Sequence, residues 1–142
     1  MKLSRILQRK GGGVATVRPD RPILEVVEEL KRRRIGAVVV TDANDHMVGI
    51  LSERDIVHAL AGEGPDLTRL TAADLMTPQV QCCTPDHDVN YVMRQMTDGG
   101  FRHVPVLEGE QLTGIISIGD VVRARIDELE NERAELQRYI SG

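Results

Sequence analysis

The feature that most constrains this chain is an internal repeat. Residues 49–60 and 114–125 are identical at six of twelve aligned positions, whereas two unrelated segments of this length would share about one. The offset between them is 65 residues, and it is 66 upstream, where Pro-Asp at 19–20 matches Pro-Asp at 85–86. The one-residue difference falls in a predicted turn, where deletions are tolerated. Two copies of a unit of about 50 residues therefore fill most of the chain.

Each copy predicts the same order of strands and helices. A short β-branched strand, at 14–17 and at 80–83, precedes a helix that Asp20 or Asp86 would cap. The buried faces predicted for these helices are Leu24, Val27 and Leu30 in the first copy and Val89, Met93 and Met96 in the second. Two more strands and a closing helix follow, at 37–41, 47–51 and from Ser52 in the first copy, and at 103–107, 112–116 and from Ser117 in the second. Each copy is therefore a βαββα unit.

The predicted fold class is mixed α/β (α+β), with two tandem βαββα motifs. Because one unit of this size has a small core, we expect the two copies to pair and bury their sheets. The chain divides into residues 1–64 (first motif with N-terminal extension and linker), 65–127 (second motif) and 128–142 (C-terminal helical extension). The linker is predicted at 62–65, and a short capped helical turn at 71–76.

Composition and charge exclude several classes of function. The net charge is −4, and the aromatic residues are two Tyr and one Phe, with no Trp. Neither a basic field nor stacking platforms for nucleic acid are therefore available. No apolar run reaches the roughly 20 residues that span a bilayer, and residues 1–10 contain no apolar core of a signal peptide. We expect a cytoplasmic protein with no nucleic-acid or membrane partner.

The cysteines, histidines and possible nucleophiles form neither a metal-site pattern nor an enzyme motif. Cys82 and Cys83 are adjacent, which would strain a disulfide between them, and we interpret them as small apolar residues in a reducing compartment. His46, His58 and His87 are scattered and share no spacing typical of metal ligands. There is no nucleophile-base-orienter set, Walker-type loop or His-Glu-x-x-His. The prediction is a protein with no metal site and no enzymatic activity.

Both copies carry the pattern Gly-Ile-x-Ser-x-x-Asp where a strand meets the closing helix. Ser52 and Ser117 would be N-caps, and Asp55 and Asp120 would be the third helical residues, which is close to a capping box and needs no ligand. The same geometry suits a nucleotide. Free N–H groups at a helix N-terminus attract phosphate, and a carboxylate one turn in accepts hydrogen bonds from a ribose diol. The motif alone leaves both interpretations open.

The residues before the middle strands favour the nucleotide interpretation. The second copy has Arg102 and His103 there, and an Arg beside a helix N-terminus suits a phosphate. The first copy has Gly36 and Ala37, which permit close approach of a flat base. The alternatives are a surface ion pair for Arg102 and a half-buried strand position for His103.

Together these motifs resemble a tandem pair of CBS domains, the module named after cystathionine β-synthase. The resemblance covers about residues 12–127 and rests on 49–57, 74–77, 102–106 and 114–122. It implies one pseudo-symmetric module with two clefts between the motifs. It also implies an adenosyl ligand, AMP foremost, with ADP, ATP, NAD(H) or S-adenosylmethionine as the other members of the class.

The resemblance further implies roles for individual residues. The motif Asp would hold the ribose diol, the motif Ser would meet phosphate, and residues flanking the middle strands would enclose adenine. One cleft receives Asp120, Ser117, Arg102, His103, Ile35 and Gly36, and the other receives Asp55, Ser52, Ala37, Phe101 and Ala72. The implied function is a regulatory sensor that forms a homodimer and acts on an unidentified protein. The alternative is a structural or interaction protein whose clefts hold no physiological ligand.

The closing helix of the second copy is predicted to continue to about residue 140, since no Gly or Pro interrupts it. Two series spaced by seven form an a/d seam: Val122, Leu129 and Leu136, and Ile126, Arg133 and Ile140. Such a helix either pairs with a second subunit or lies across the apolar surface of its own domain.

Overall fold

The structure is a computed structural model that describes residues 1–11 and 13–141, apart from the side chains of residues 63 and 65. Its elements alternate between helices and short strands in an order that repeats once. They are α1 (Leu3–Lys10), β1 (Thr16–Val17), α2 (Ile23–Arg33), β2 (Ala37–Thr41), β3 (Met47–Ser52), α3 (Glu53–Glu63), a 3-10 helix (Gly64–Arg69), α4 (Ala72–Leu75), α5 (Val89–Gly99), β4 (His103–Glu108), β5 (Gln111–Ser117) and α6 (Ile118–Ser141).

The first-motif unit comprises Gly13–Gln81 and Gly109–Thr113. Its sheet has the order β1-β2-β3, with β1 parallel and β3 antiparallel to β2. All five residues of β2 are buried, as expected for a continuous apolar run that is covered on both faces. The core of this unit consists of Ala15, Val17, Ile23, Val26, Leu30, Val38, Val40, Leu51, Leu67 and Ala72.

The second-motif unit comprises Met1–Gly12, Cys82–Glu108 and Gly114–Gly142. Strands β4 and β5 form a two-stranded sheet, and Cys83 adds a single parallel bridge to Val106. Helix α1 supplies Leu3 and Ile6 to this core, which is otherwise formed by Cys83, Val89, Val92, Met96, Val104, Val106, Ile116, Val121 and Ala124. The N-terminal extension, which the sequence analysis grouped with the first motif, therefore packs with the second.

The middle and third strands lie where the sequence predicts them, within one residue at either end. The first strands are much shorter than predicted. The segment 14–17 contains only the two residues of β1, and the segment 80–83 contains only the bridge at Cys83. β1 pairs with β2, and Cys83 forms its bridge with Val106.

The helix after each first strand begins later than predicted. The N-cap of α2 is Pro22 rather than Asp20, and that of α5 is Asp88 rather than Asp86, with the Asp88 carboxylate accepting the Asn90 N–H at 2.9 Å. The buried faces also differ from the predicted ones. The buried residues are Ile23, Val26 and Leu30 in α2 and Val89, Val92 and Met96 in α5. Leu24, which was predicted to be buried, is 48% exposed.

The structure also tests the predictions for three other segments: the linker, the capped turn and the closing helix. The predicted linker at 62–65 is mostly helical, because α3 runs to Glu63 and a 3-10 helix starts at Gly64. The predicted capped turn at 71–76 is confirmed as α4. The long closing helix is confirmed as α6, with 24 residues. Among the described residues, no helix has the length and apolar character needed to cross a membrane.

Candidate functional site

The junction of β5 and α6 holds the second copy of the repeated motif. The Asp120 carboxylate accepts the backbone N–H of Ser117 at 2.9 Å, and the Ser117 hydroxyl accepts the backbone N–H of Asp120 at 3.2 Å. These two reciprocal bonds form a capping box and fix the carboxylate at the first turn of a 24-residue helix. The capping interpretation is therefore correct for the local geometry, and it leaves open whether the box also binds a ligand.

The residue before β4 is hydrogen-bonded to the N-terminus of α6. The backbone N–H of Ile118 donates to the Arg102 carbonyl at 2.8 Å, which holds Arg102 beside the first turn of α6. The Arg102 side chain is exposed, and within residues 1–11 and 13–141 its guanidinium has no hydrogen-bond or ion-pair partner. The surface ion pair considered as an alternative for Arg102 is thus not formed there. His103 is half-buried as the first residue of β4.

A residue that sequence analysis missed also lies at this junction. The ammonium of Lys10, at the C-terminal end of α1, is 2.8 Å from Asp120 Oδ2 and 2.8 Å from the Ile115 carbonyl oxygen. Lys10 and Asp120 are 110 positions apart in the chain, so spacing could not connect them. The only available signal was the spacing of Leu3, Ile6 and Leu7, which is typical of one helix face.

These contacts determine the charge of Asp120. Burial alone would raise the pKa of its carboxyl group. Hydrogen bonds from the Lys10 ammonium and from the Ser117 N–H and hydroxyl outweigh burial, and the pKa lies below its ordinary value. Asp120 is therefore a carboxylate near neutral pH, with its side chain 22% exposed.

The junction of β3 and α3 in the first motif has the same backbone hydrogen bonds as the junction of β5 and α6, but no Lys or Arg is bonded to its aspartate among the described residues. The Asp55 carboxylate accepts the Ser52 N–H at 2.9 Å and the Ser52 hydroxyl at 3.1 Å. The Glu53 N–H donates to the Gly36 carbonyl at 2.9 Å, which matches the bond between Ile118 and Arg102. In the described part of the chain, no Lys or Arg bonds to Asp55.

A third capping box shows that this geometry is not confined to the two repeated motif junctions. The Thr71 N–H and hydroxyl donate to the Asp74 carboxylate at 2.8 and 3.1 Å at the start of the four-residue helix α4. Ala72, predicted to lie near a base, is fully buried in the first-motif core. The Lys10 contact and the unpaired Arg102, rather than the capping box, therefore distinguish the α6 junction.

The other predicted residues divide between the two units. Ile35 and Gly36 line a groove of about 500 Å³ between α2 and α3, together with Val27, Leu30, Lys31, Arg34, Glu53, Ile56 and Val57. Ala37 is paired with Ser52 across β2 and β3. The Phe101 ring lies against Gly99 in the second-motif unit. The groupings of Asp120 with Ile35 and Gly36, and of Asp55 with Phe101, cross the units and remain predictions.

The two cysteines are thiols and are not joined in a disulfide. Burial raises the pKa of the Cys83 thiol to about 11. The Cys83 thiol donates to the Gln95 side-chain oxygen at 3.2 Å. In the portion of the chain described here, no group of three His, Cys, Asp or Glu side chains has the arrangement of a metal site.

Comparison with known proteins decides the family. The CBS domain family matches residues 9–62 and 72–127 of this chain. The chain belongs to the CBS-domain family. An uncharacterized 17.7 kDa protein of Acidianus ambivalens is 36% identical over 127 residues, which are 89% of this chain and 74% of that protein.

Solved structures of CBS-domain proteins have the same fold. The CBS-domain containing protein ATU1752 from Agrobacterium tumefaciens is 47% identical, with a TM-score of 0.84 over 87% of this chain and 92% of that one. A CBS domain protein from Pyrobaculum aerophilum, solved in complex with AMP, is 27% identical, with a TM-score of 0.78 over 92% of this chain and 99% of that one. The two βαββα motifs predicted from the repeat are therefore two CBS motifs.

Proposed function

We propose that this CBS-domain protein is a regulatory module that binds an adenine nucleotide, AMP foremost, at the N-terminus of α6. The bond from the Ile118 N–H to the Arg102 carbonyl carries the proposal, because it holds the backbone of Arg102 at the N-terminus of the helix that carries Asp120. The Pyrobaculum aerophilum relative that was solved with AMP supports the choice of ligand class.

Each group at the junction has a chemical counterpart in a nucleotide. The Asp120 carboxylate accepts hydrogen bonds from the ribose diol. The Arg102 guanidinium and the N-terminal end of α6 favour a phosphate, by charge and by backbone N–H donors. A Cβ built on Gly119 would meet only the Ser117 hydroxyl oxygen, at 3.7 Å, so the first turn of α6 is open to close approach.

The proposal ranks the two motifs and the members of the ligand class. Among the residues that the structure describes, no Lys or Arg is bonded to Asp55, and this site is expected to bind more weakly. ADP, ATP, NAD(H) and S-adenosylmethionine share the adenosine that Asp120 would hold, and are the other ligands to be tested. Ligand binding would shift the population of conformations that a regulated partner protein recognises, without any catalysed reaction.

We also propose that the module forms a homodimer through its helices. Leu24, Val57 and Leu60 on α2 and α3 are 48–61% exposed, and Val122 and Ile126 on α6 are 45% and 49% exposed. Exposed apolar side chains grouped on a helix surface are typical of interfaces between proteins. Analytical ultracentrifugation of the purified protein tests this part of the proposal.

Calorimetric titration with AMP tests the ligand. We expect saturable binding, and we expect Asp120→Ala to weaken it by at least about 1–2 kcal/mol, because the variant removes a charged acceptor of two hydroxyls. The matched control is Asp74→Ala, which removes the carboxylate of the equivalent capping box at the start of α4. If AMP does not bind to the folded parent protein, or if Asp120→Ala and Asp74→Ala bind it equally well, Asp120 only caps α6. A structural or interaction role without ligand would then be favoured.

A further inference from the structure

We propose that Lys10 makes the Asp120 site selective for phosphorylated adenosine ligands over cationic ones such as S-adenosylmethionine. The inference rests on the proposed function and adds a specificity-determining residue to it. It starts from the ammonium of Lys10, which is bonded to Asp120 Oδ2 and to the Ile115 carbonyl at 2.8 Å each.

The position of Lys10 is set by a packed helix. Leu3 and Ile6 of α1 are 0% and 5% exposed in the second-motif core. Leu7 fits against the backbone of Gly114, where an added Cβ would lie 2.3 Å from Leu7 Cδ2. Because these three side chains anchor α1, its last residue is held beside the start of α6 rather than moving freely in solvent.

The ammonium has donor capacity left for a ligand. A lysine ammonium has three N–H donors, and two of them are used by Asp120 and Ile115. The side chain of Lys10 is 36% exposed, so the third donor is accessible. The Ser117 N–H and Lys10 both bond to Oδ2 of Asp120, and a ribose hydroxyl can therefore be accepted at Oδ1.

The charges at the α6 junction determine which adenosyl ligands it favours. Without Lys10, the Asp120 carboxylate would repel a neighbouring phosphate and attract a sulfonium or ammonium group. Lys10 neutralises this carboxylate, and the Arg102 guanidinium and the positive end of the α6 dipole remain. The resulting junction favours an anion. Asp55 has no such cation among the described residues, so the first motif should lack this selectivity.

Calorimetry with AMP, adenosine and S-adenosylmethionine tests the role of Lys10, in an Asp55→Asn background that leaves the second site as the reporter. We expect Lys10→Met to weaken AMP binding about tenfold or more, as loss of a charge-assisted hydrogen bond does. Adenosine affinity should change little, and S-adenosylmethionine affinity should rise. Lys10→Arg should keep the preference for AMP. Lys2→Met is the matched control, since it removes the same charge from the other end of α1, where Lys2 lies 3.9 Å from Asp86.

The outcomes separate this inference from the proposed function. If the parent binds AMP and the folded Lys10→Met variant binds it equally tightly, Lys10 is not a specificity residue, and the nucleotide site stands. If Lys10→Met and Lys2→Met weaken AMP binding equally, the effect is one of net charge and the inference is wrong. If the Asp55→Asn protein is folded and binds none of the three ligands, both the nucleotide site and the role of Lys10 are rejected.

Discussion

The side chain of Leu7 lies directly against Gly114, so that a Cβ built on Gly114 would be 2.3 Å from Leu7 Cδ2. The first motif contains the matching contact: a Cβ on Gly49 would be 2.7 Å from the sulfur of Met76. Leu7 lies before β1 of the first motif, and Met76 lies before the Cys83 bridge and α5 of the second. The segment before each motif therefore packs against the other motif, and the repeated glycine permits that close approach.

Gly114→Ala should destabilise the protein by about 1–3 kcal/mol, because the added methyl group forces Leu7 and α1 to shift. Urea unfolding measures the change. Gly119→Ala is the control, since its Cβ would meet only an oxygen at 3.7 Å. Combining Gly114→Ala with Leu7→Ala should cost less than the two separate changes added together. Strict additivity would show that the two residues do not interact.

The repeat predicted the strands and motif junctions well because the two copies can be compared position by position. The apolar, β-branched runs at 37–41 and 103–107 are confirmed as strands, and the Ser and Asp of each motif form capping boxes. The predictions that are wrong concern segments whose structure depends on contacts with residues distant in the chain. The Ile23 N–H donates to the Leu70 carbonyl at 3.0 Å, so a distant backbone group satisfies the start of α2, and Asp20 is not needed as a cap.

The candidate site could be predicted only in part for the same reason. The motif pattern identifies Asp120 and Ser117, which are three positions apart in one turn. Lys10 reaches them because α1 packs into the second-motif core. The spacing of apolar residues in α1 indicates a buried helix face but not which core it packs against. A charged residue brought in by a distant helix is therefore found only from the structure.

Arg34 should be replaceable by glycine with a gain in stability. It ends α2 in the left-handed conformation, with φ 55° and ψ 46°, where the second motif has Gly100 with φ 72°. A non-glycine residue is strained there, so Arg34→Gly should stabilise the fold by about 0.5–1 kcal/mol. Thermal unfolding measures this. Arg33→Gly, within α2, should instead destabilise by about 1 kcal/mol, and a similar loss in both variants would contradict the strain argument.

The ion pair of Lys10 and Asp120 should make stability depend on pH in acid. The folded-state pKa of Asp120 lies below its ordinary value of 3.8, so the pair stabilises the fold above that pH and its contribution is lost as the pH falls through the lowered pKa. Lys10 is about one-third exposed, so Lys10→Met should cost only about 0.5–1 kcal/mol at pH 7. Urea unfolding should show this cost disappearing in strong acid. An equal cost at every pH would assign the stabilisation to the Ile115 carbonyl alone.

Arg102→Ala should weaken AMP binding far more than adenosine binding, because only AMP carries the phosphate. The salt dependence of AMP binding should also become flatter, since one exposed charge has been removed. Calorimetry at two ionic strengths measures both effects. Arg123→Ala, an exposed arginine further along α6, is the control. Equal losses for AMP and adenosine would assign Arg102 to packing.

The C-terminal part of α6 should stabilise a dimer. Residues 130–141 are all exposed, with Leu136 at 63% and Ile140 at 82%, so this segment does not lie across the apolar surface of its own domain. Residues spaced by seven with charged neighbours are typical of a helix that pairs with another helix. About three heptads, one with Arg133 in the seam, are too short to associate alone, and the contact would add to the one proposed for the motifs.

Deleting residues 130–142 should therefore raise the dimer dissociation constant and lower the melting temperature, while AMP stoichiometry per chain stays unchanged. Sedimentation velocity over a range of concentrations measures the first effect. A sharper test uses single changes on one helix: Leu136→Gln, in the seam, should weaken the dimer, and Glu132→Gln, outside it, should not. If the deletion and both single variants sediment like the parent protein, the exposed end of α6 does not contact a second subunit, and its apolar side chains serve a different partner.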